Sequence, residues 1–222
     1  MRRRHRSIGL LVGLIAAITV GSSASASSSW LTIRQQGVSA LTQRLDCTDN
    51  GDGTLGCTGE LMAVFKGTIR ITGTPTAKTD QVCYERLTAT VDAETGDLLD
   101  GSAAMGCALD TGHIRVRGLR SVTLASTRVD LVSLTCDEND CVETPAGHVT
   151  VRGSWSGTGR ALVSRQRFRF DDPLCTDILQ SQGRARDAAF RGFVNGVRMG
   201  AGVSVVSSGM FRLKSRCLGG LG

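Results

Sequence analysis

Apolar and charged side chains alternate along much of this chain. In 164–170, SRQRFRF, Arg165, Arg167 and Arg169 take every second position, with Phe168 and Phe170 between and after them. Successive side chains on a strand face opposite sides. The three arginines therefore line one face and the two phenylalanines the other. Burying unpaired guanidinium groups costs far more than burying phenyl rings gains, so the phenylalanines are expected to face a core. The same period sets Ile114 and Val116 against Arg115 and Arg117, and Phe211, Leu213 and Cys217 against Arg212, Lys214 and Arg216. Val149, Val151 and Trp155 form another such series. Further strands are predicted in 60–73, in 81–107 around the turn AETGD, and in 188–206. Asn195-Gly196 there suits a two-residue hairpin turn.

Two segments carry helix-forming residues. The first, 39–45, is short. The second, 177–190, contains Gly183 and reads as a hairpin around QGRAR. The chain holds 28 glycines and only 3 prolines, which suits long, bent strands joined by tight turns. The predicted fold is all-β: a single antiparallel β-barrel or sandwich.

Export changes how the composition is read. Residues 1–26 combine a basic start (Arg2, Arg3, Arg4, Arg6), an apolar run from Ile8 to Val20 and ASA at 24–26. That is the layout of a cleavable signal peptide. The run is shorter than the ~20 apolar residues of a membrane-spanning helix. Cleavage leaves 27–222 as one β-rich domain, secreted and monomeric. The signal removes four of the 26 basic residues and none of the 20 acidic ones, so the net charge falls from +6 to +2. This argues against nucleic acid as a partner. The remaining charge is uneven. Residues 27–145 hold 10 basic and 16 acidic side chains, and 146–222 hold 12 and 4.

All eight cysteines follow the signal. An even number in an exported chain reads as a disulfide framework. Eight cysteines allow 105 pairings. Nearest-neighbour pairing gives Cys47–Cys57, Cys83–Cys107, Cys136–Cys141 and Cys175–Cys217, the first and third as staples across polar turns. This leaves no free thiolate, and without a CxxC pair no metal centre is expected. DCTDNGDGT, 46–54, partly fits a calcium-loop register, but Cys57 stands where that loop needs glutamate. It reads as a clipped turn. No cofactor is expected.

The functional reading centres on the arginine rows. Arg165, Arg167, Arg169, Arg184, Arg186, Arg212 and Lys214 all sit at strand spacing. If their strands are neighbours, they merge into a basic sheet face for an anionic polymer or an acidic protein surface. Arg115, Arg117 and Arg216 stand at the same spacing and would join that face. The competing reading is a solvated outer face written in arginine. Two other functions stand beside a non-catalytic binding domain. One is a hydrolase of an extracellular polymer using acidic residues. The other is a barrel holding a small apolar ligand. No serine has a nucleophile context, and of the mature histidines, His113 and His148, neither has a recognisable partner in sequence.

The stretch 149–175, VTVRGSWSGTGRALVSRQRFRFDDPLC, followed by VNG at 194–196, resembles a pattern in uncharacterised exported proteins of GC-rich Gram-positive bacteria. The resemblance implies export and a β-rich fold. It carries over no site residues.

Overall fold

The computed structural model describes residues 30–109, 112–136, 141–171 and 175–217; the side chains of Thr135, Cys136 and Cys141 fall outside the description. The proposed signal peptide lies before these residues. The described chain forms eleven strands and no helix: β1 (Leu31–Asp49), β2 (Thr54–Ile71), β3 (Ala77–Asp92), β4 (Leu98–Leu109), β5 (Ile114–Val116), β6 (Ser121–Cys136), β7 (Cys141–Gly157), β8 (Leu162–Asp171), β9 (Cys175–Val194), β10 (Val197–Arg198) and β11 (Val203–Cys217).

All strand pairing is antiparallel, and the sheet closes on itself. Running β9–β11–β1–β2–β3–β4–β6–β7, it returns to β9. Of the two predicted architectures, the chain takes the barrel. The seam between β4 and β6 is short, from Ser102↔Thr135 to Met105↔Val132. Past it, β5 takes the place of β4 beside β6.

Inward-facing positions follow the predicted alternation. Val206, Ala40, Val64 and Val82 lie side by side across four strands, and all are buried. Trp155 fills the centre. Its ring lies 5.0 Å from that of Phe190, and its Nε1 donates to Thr42 Oγ1 at 2.7 Å. Thr42 Oγ1 in turn lies 2.9 Å from Ser204 Oγ. The buried indole N–H and both hydroxyls thus satisfy one another, as buried polar groups must.

Disulfides join Cys47–Cys57, Cys83–Cys107 and Cys175–Cys217. Each links direct cross-strand partners, so each pins a register. Cys136 and Cys141 are likewise opposite each other, while a bond between them falls on side chains outside the description.

Two local expectations change. Residues 177–190 are not a hairpin but the middle of β9. Gly183 is not among the residues with positive φ; it runs straight on, opposite Gly209. A glycine inside a strand marks a bend or a close approach as readily as a turn. Residues 39–45 lie within β1, where pairing with β2 and β11 overrides any helical tendency. At 195–196 the hairpin turn forms as predicted. Asn195 and Gly196 both have positive φ, 49° and 82°, and Val194 pairs with Val197.

The sheet does not end where the barrel does. Along β9, residues 188–194 pair with β7, but 176–185 pair with β8. β8 has no second partner among the described residues. The ring therefore opens, and β8, β9, β11, β1 and β2 continue outward as a five-stranded sheet. Four glycines in one cross-strand row, Gly183↔Gly209↔Gly37↔Gly67, mark the transition.

Candidate anion-binding face

The open sheet carries the barrel's inner face out into solvent. One step beyond the Val206–Ala40–Val64–Val82 row, the side chains are Arg184, Ser208, Val38, Lys66 and Asp80. The next row reads Arg165, Gln182, Met210, Gln36, Thr68 and Lys78. After it come Arg167, Gln180, Arg212, Arg34 and Arg70, directly opposite one another over five strands. Arg169, Ile178, Lys214 and Thr32 follow. Directly opposed residues project from the same side of a sheet, so these rows form one basic face.

All seven basic residues singled out in the sequence lie on this face. Arg186, opposite Val206, sits at its inner edge, half-buried. The sequence reading missed Arg34, Arg70, Lys66 and Lys78, which come from the acidic half of the chain. Nothing in the local sequence marks them; the register of β1 and β2 against β11 brings them in. Arg115 and Arg117 do not join. Ile114 takes the inward position on β5, which leaves Arg115 and Arg117 pointing away from the barrel.

Few carboxylates balance the charge. Lys66 Nζ meets Asp80 Oδ2 at 3.0 Å and also donates to the Ile114 carbonyl at 2.8 Å. Arg169 Nε meets Asp171 Oδ2 at 2.7 Å. Among the described residues no carboxylate pairs with Arg34, Arg70, Arg165, Arg167, Arg184, Arg212 or Lys214. Arg34 instead donates to Gln36 Oε1 at 3.0 Å. The Nε atoms of Arg186 and Arg212 are buried without a partner among the described residues. Like charges placed directly opposite on a sheet repel, so the face stores repulsion that a bound anion would relieve.

The face is grooved. Arg34, Arg165 and Arg184 converge with Gln36, Gln182 and Ser208 on a depression of about 450 Å³. Gln36 also lines a neighbouring depression of about 720 Å³ with Lys66, Thr68, Lys78 and Asp80. Guanidinium groups stay protonated. The arrangement therefore offers fixed positive charge and forked hydrogen-bond donors suited to carboxylate, sulfate or phosphate groups.

Phe168 and Phe170 face away from the arginines, as expected, but they are not in a core. They are 46% and 60% exposed, with their rings stacked at 6.4 Å. The strand that carries them lies beyond the closed barrel, so no second layer among the described residues covers that side.

Three acidic residues of the first half organise turns. Asp92 accepts from the backbone N–H groups of Glu94 and Thr95 and from the Thr95 hydroxyl. Asp52 accepts from the hydroxyl and backbone N–H of Thr54, and Asp49 from the Gly51 N–H. DCTDNGDGT is thus a clipped turn in which its own aspartates hold the backbone. His113 Nδ1 lies 3.0 Å from the Ser126 carbonyl. His148 lies opposite Asp130 and is exposed.

These bonds predict an acid limit. Hydrogen bonds from Thr95 and Glu94 hold the Asp92 carboxyl below the usual carboxylate range, and those from Thr54 do the same for Asp52. Asp171 is lowered by Arg169 and then by the Thr176 hydroxyl. Each folded-state value lies below its unfolded one. Their contribution is therefore present above about pH 4 and lost as pH falls through the folded values. Urea midpoints measured against pH should fall below about pH 4, and less steeply for Asp92→Asn. Superimposable profiles would remove Asp92 from this role.

No protein-family model matches the chain, and no curated protein matches it. Among solved structures, an acetoacetate decarboxylase-like enzyme from Sphingomonas wittichii RW1 is similar over 88% of this chain and 95% of its own, at 10% identity and a TM-score of 0.28. Similarity that low supports neither a shared fold nor a shared activity.

Proposed function

We propose that this protein is an exported, non-catalytic binding domain that holds an anionic polymer on the basic face of its open sheet. The row Arg167–Gln180–Arg212–Arg34–Arg70, with its four arginines free of carboxylate partners among the described residues, carries the reading. Two adjoining grooves that share Gln36 favour an extended ligand over a single small ion. The disulfides support an oxidising compartment outside the cytoplasm.

A barrel is compatible with the apolar-ligand alternative; the filled interior makes it the second reading. Trp155, Met62 and Val82 are fully buried in the barrel, where a carrier would keep space. The hydrolase alternative needs carboxylates aimed into a groove. Here Asp80 is engaged by Lys66 and Asp171 by Arg169.

The test uses residues 27–222 and a heparin column, with a polyphosphate resin as a second anion. The parent should be retained and elute with rising salt, because releasing counterions drives such binding. The triple variant Arg34→Ser, Arg165→Ser, Arg184→Ser should keep its strand signal in circular dichroism and lose most of its retention. Equal retention of a folded triple variant would reduce the face to a solvated surface.

A further inference from the structure

The opposite side of the open sheet is as unusual as the basic one. Phe168, Leu179, Leu213, Ile33 and Ile71 stand opposite one another across all five strands. Phe211 and Ile69 flank this row toward the barrel, and Phe170 and Leu31 flank it toward the tip. Phe168, Phe170 and Phe211 are 46%, 60% and 38% exposed. From the tip to the row of Phe65, Asp177 is the one ionisable side chain on this side, and its Oδ1 is buried without a partner among the described residues.

We infer that this face packs against the same face of a second copy of the chain. A sheet with an apolar side needs a second layer. The described residues supply none. The face itself is large enough: five strands spaced ~4.8 Å by about nine residues at ~3.4 Å each give about 700 Å². A standard interface takes about 800 Å² from each partner.

Charge selects the occupant and its orientation. The apolar faces are close to uncharged, so two copies meet without the repulsion that would keep two basic faces apart. A two-fold pairing is self-complementary by construction. It builds a sandwich from the two open sheets, and the basic faces point outward on opposite sides. The sequence reading expected a monomer, with Phe168 and Phe170 in a core. The described residues leave this side of the strands uncovered, and the proposal stands independently of what the basic face binds.

Sedimentation velocity on residues 27–222 tests it. At about 100 μM, within reach of even weak specific association, the parent should sediment as a dimer. Phe168→Glu changes a side chain already half exposed at the sheet edge, so the fold should survive; it should weaken dimerisation at least about tenfold. Ile33→Glu with Leu213→Glu should give a monomer. Arg34→Ser with Arg212→Ser, on the other side of the same strands, should leave the dimer intact and separates this result from loss of anion binding. A monomeric parent at that concentration overturns the proposal. If that monomer floats with zwitterionic phosphatidylcholine vesicles, which the basic face does not attract, a lipid surface is the occupant instead. A folded Phe168→Glu protein that dimerises as the parent does also overturns it.

Discussion

Trp155→Ala should cost the fold about 5 kcal/mol, at the upper end for large aromatic truncations. The indole is wholly buried at the centre of the barrel, where the ring of strands cannot collapse onto the vacancy. It packs on Phe190 and donates to Thr42 Oγ1. Its loss therefore removes apolar contact and a hydrogen bond together. The remaining hydroxyl pair, Thr42 and Ser204, would still satisfy each other, which limits the polar part of the cost. Trp155→Phe should separate the two contributions. It keeps most of the contact and loses the N–H, and should cost about 1–3 kcal/mol. Urea denaturation with disulfides intact measures both. A Trp155→Ala protein within about 1 kcal/mol of the parent would mean that the barrel centre is not close-packed.

The inward series Val149, Val151 and Trp155 was legible because period-two alternation survives wherever one strand face is buried. So were three cysteine pairs: two join consecutive strands across their turns, and Cys175–Cys217 joins β9 to β11, with only β10 between them. The class of fold followed from these two signals. Closure did not. Whether a run of antiparallel strands ends in a barrel or a sandwich depends on which strand meets β9 last, a contact between 151–157 and 188–194 that no local pattern announces. Alternation put Arg165, Arg167 and Arg169 on one face of their own strand; that the rows of β9 and β11 join them and that of β5 does not depends on strand pairing. Arg34 and Arg70 were missed because membership of the face is set by register with strands far away in the chain. The burial assigned to Phe168 failed for a related reason. Alternation separates two faces but says nothing of whether a layer covers either.

Gly67→Ala should be the most disruptive single methyl group in the glycine row that marks the end of the barrel. A Cβ at Gly67 would run into the backbone carbonyl of Gln36, would come within 2.9 Å of the Gly37 Cα and would meet the Phe65 ring at 2.6 Å. The reciprocal change at Gly37 would meet the Gly67 Cα at 2.8 Å, as well as the Lys66 carbonyl. Backbone in the middle of a paired sheet cannot swing aside as a side-chain tip can. The cost should therefore exceed the roughly 1–3 kcal/mol of ordinary overpacking. At the other end of the same row, a Cβ on Gly183 would find the Ser208 carbonyl at 3.1 Å and the Gly209 Cα at 3.7 Å. Gly183→Ala should be tolerated with a small loss. Gly209→Ala, with its nearest contact at 2.8 Å, should fall between them. Melting temperatures should follow that order. The row lies where the inner face of the barrel becomes the basic face, so Gly67→Ala should also weaken anion retention in whatever fraction folds. Equal melting temperatures for Gly67→Ala and Gly183→Ala would show that the strands are not held together at this row, and the alignment of Arg34 and Arg70 with Arg212 would lose its structural basis.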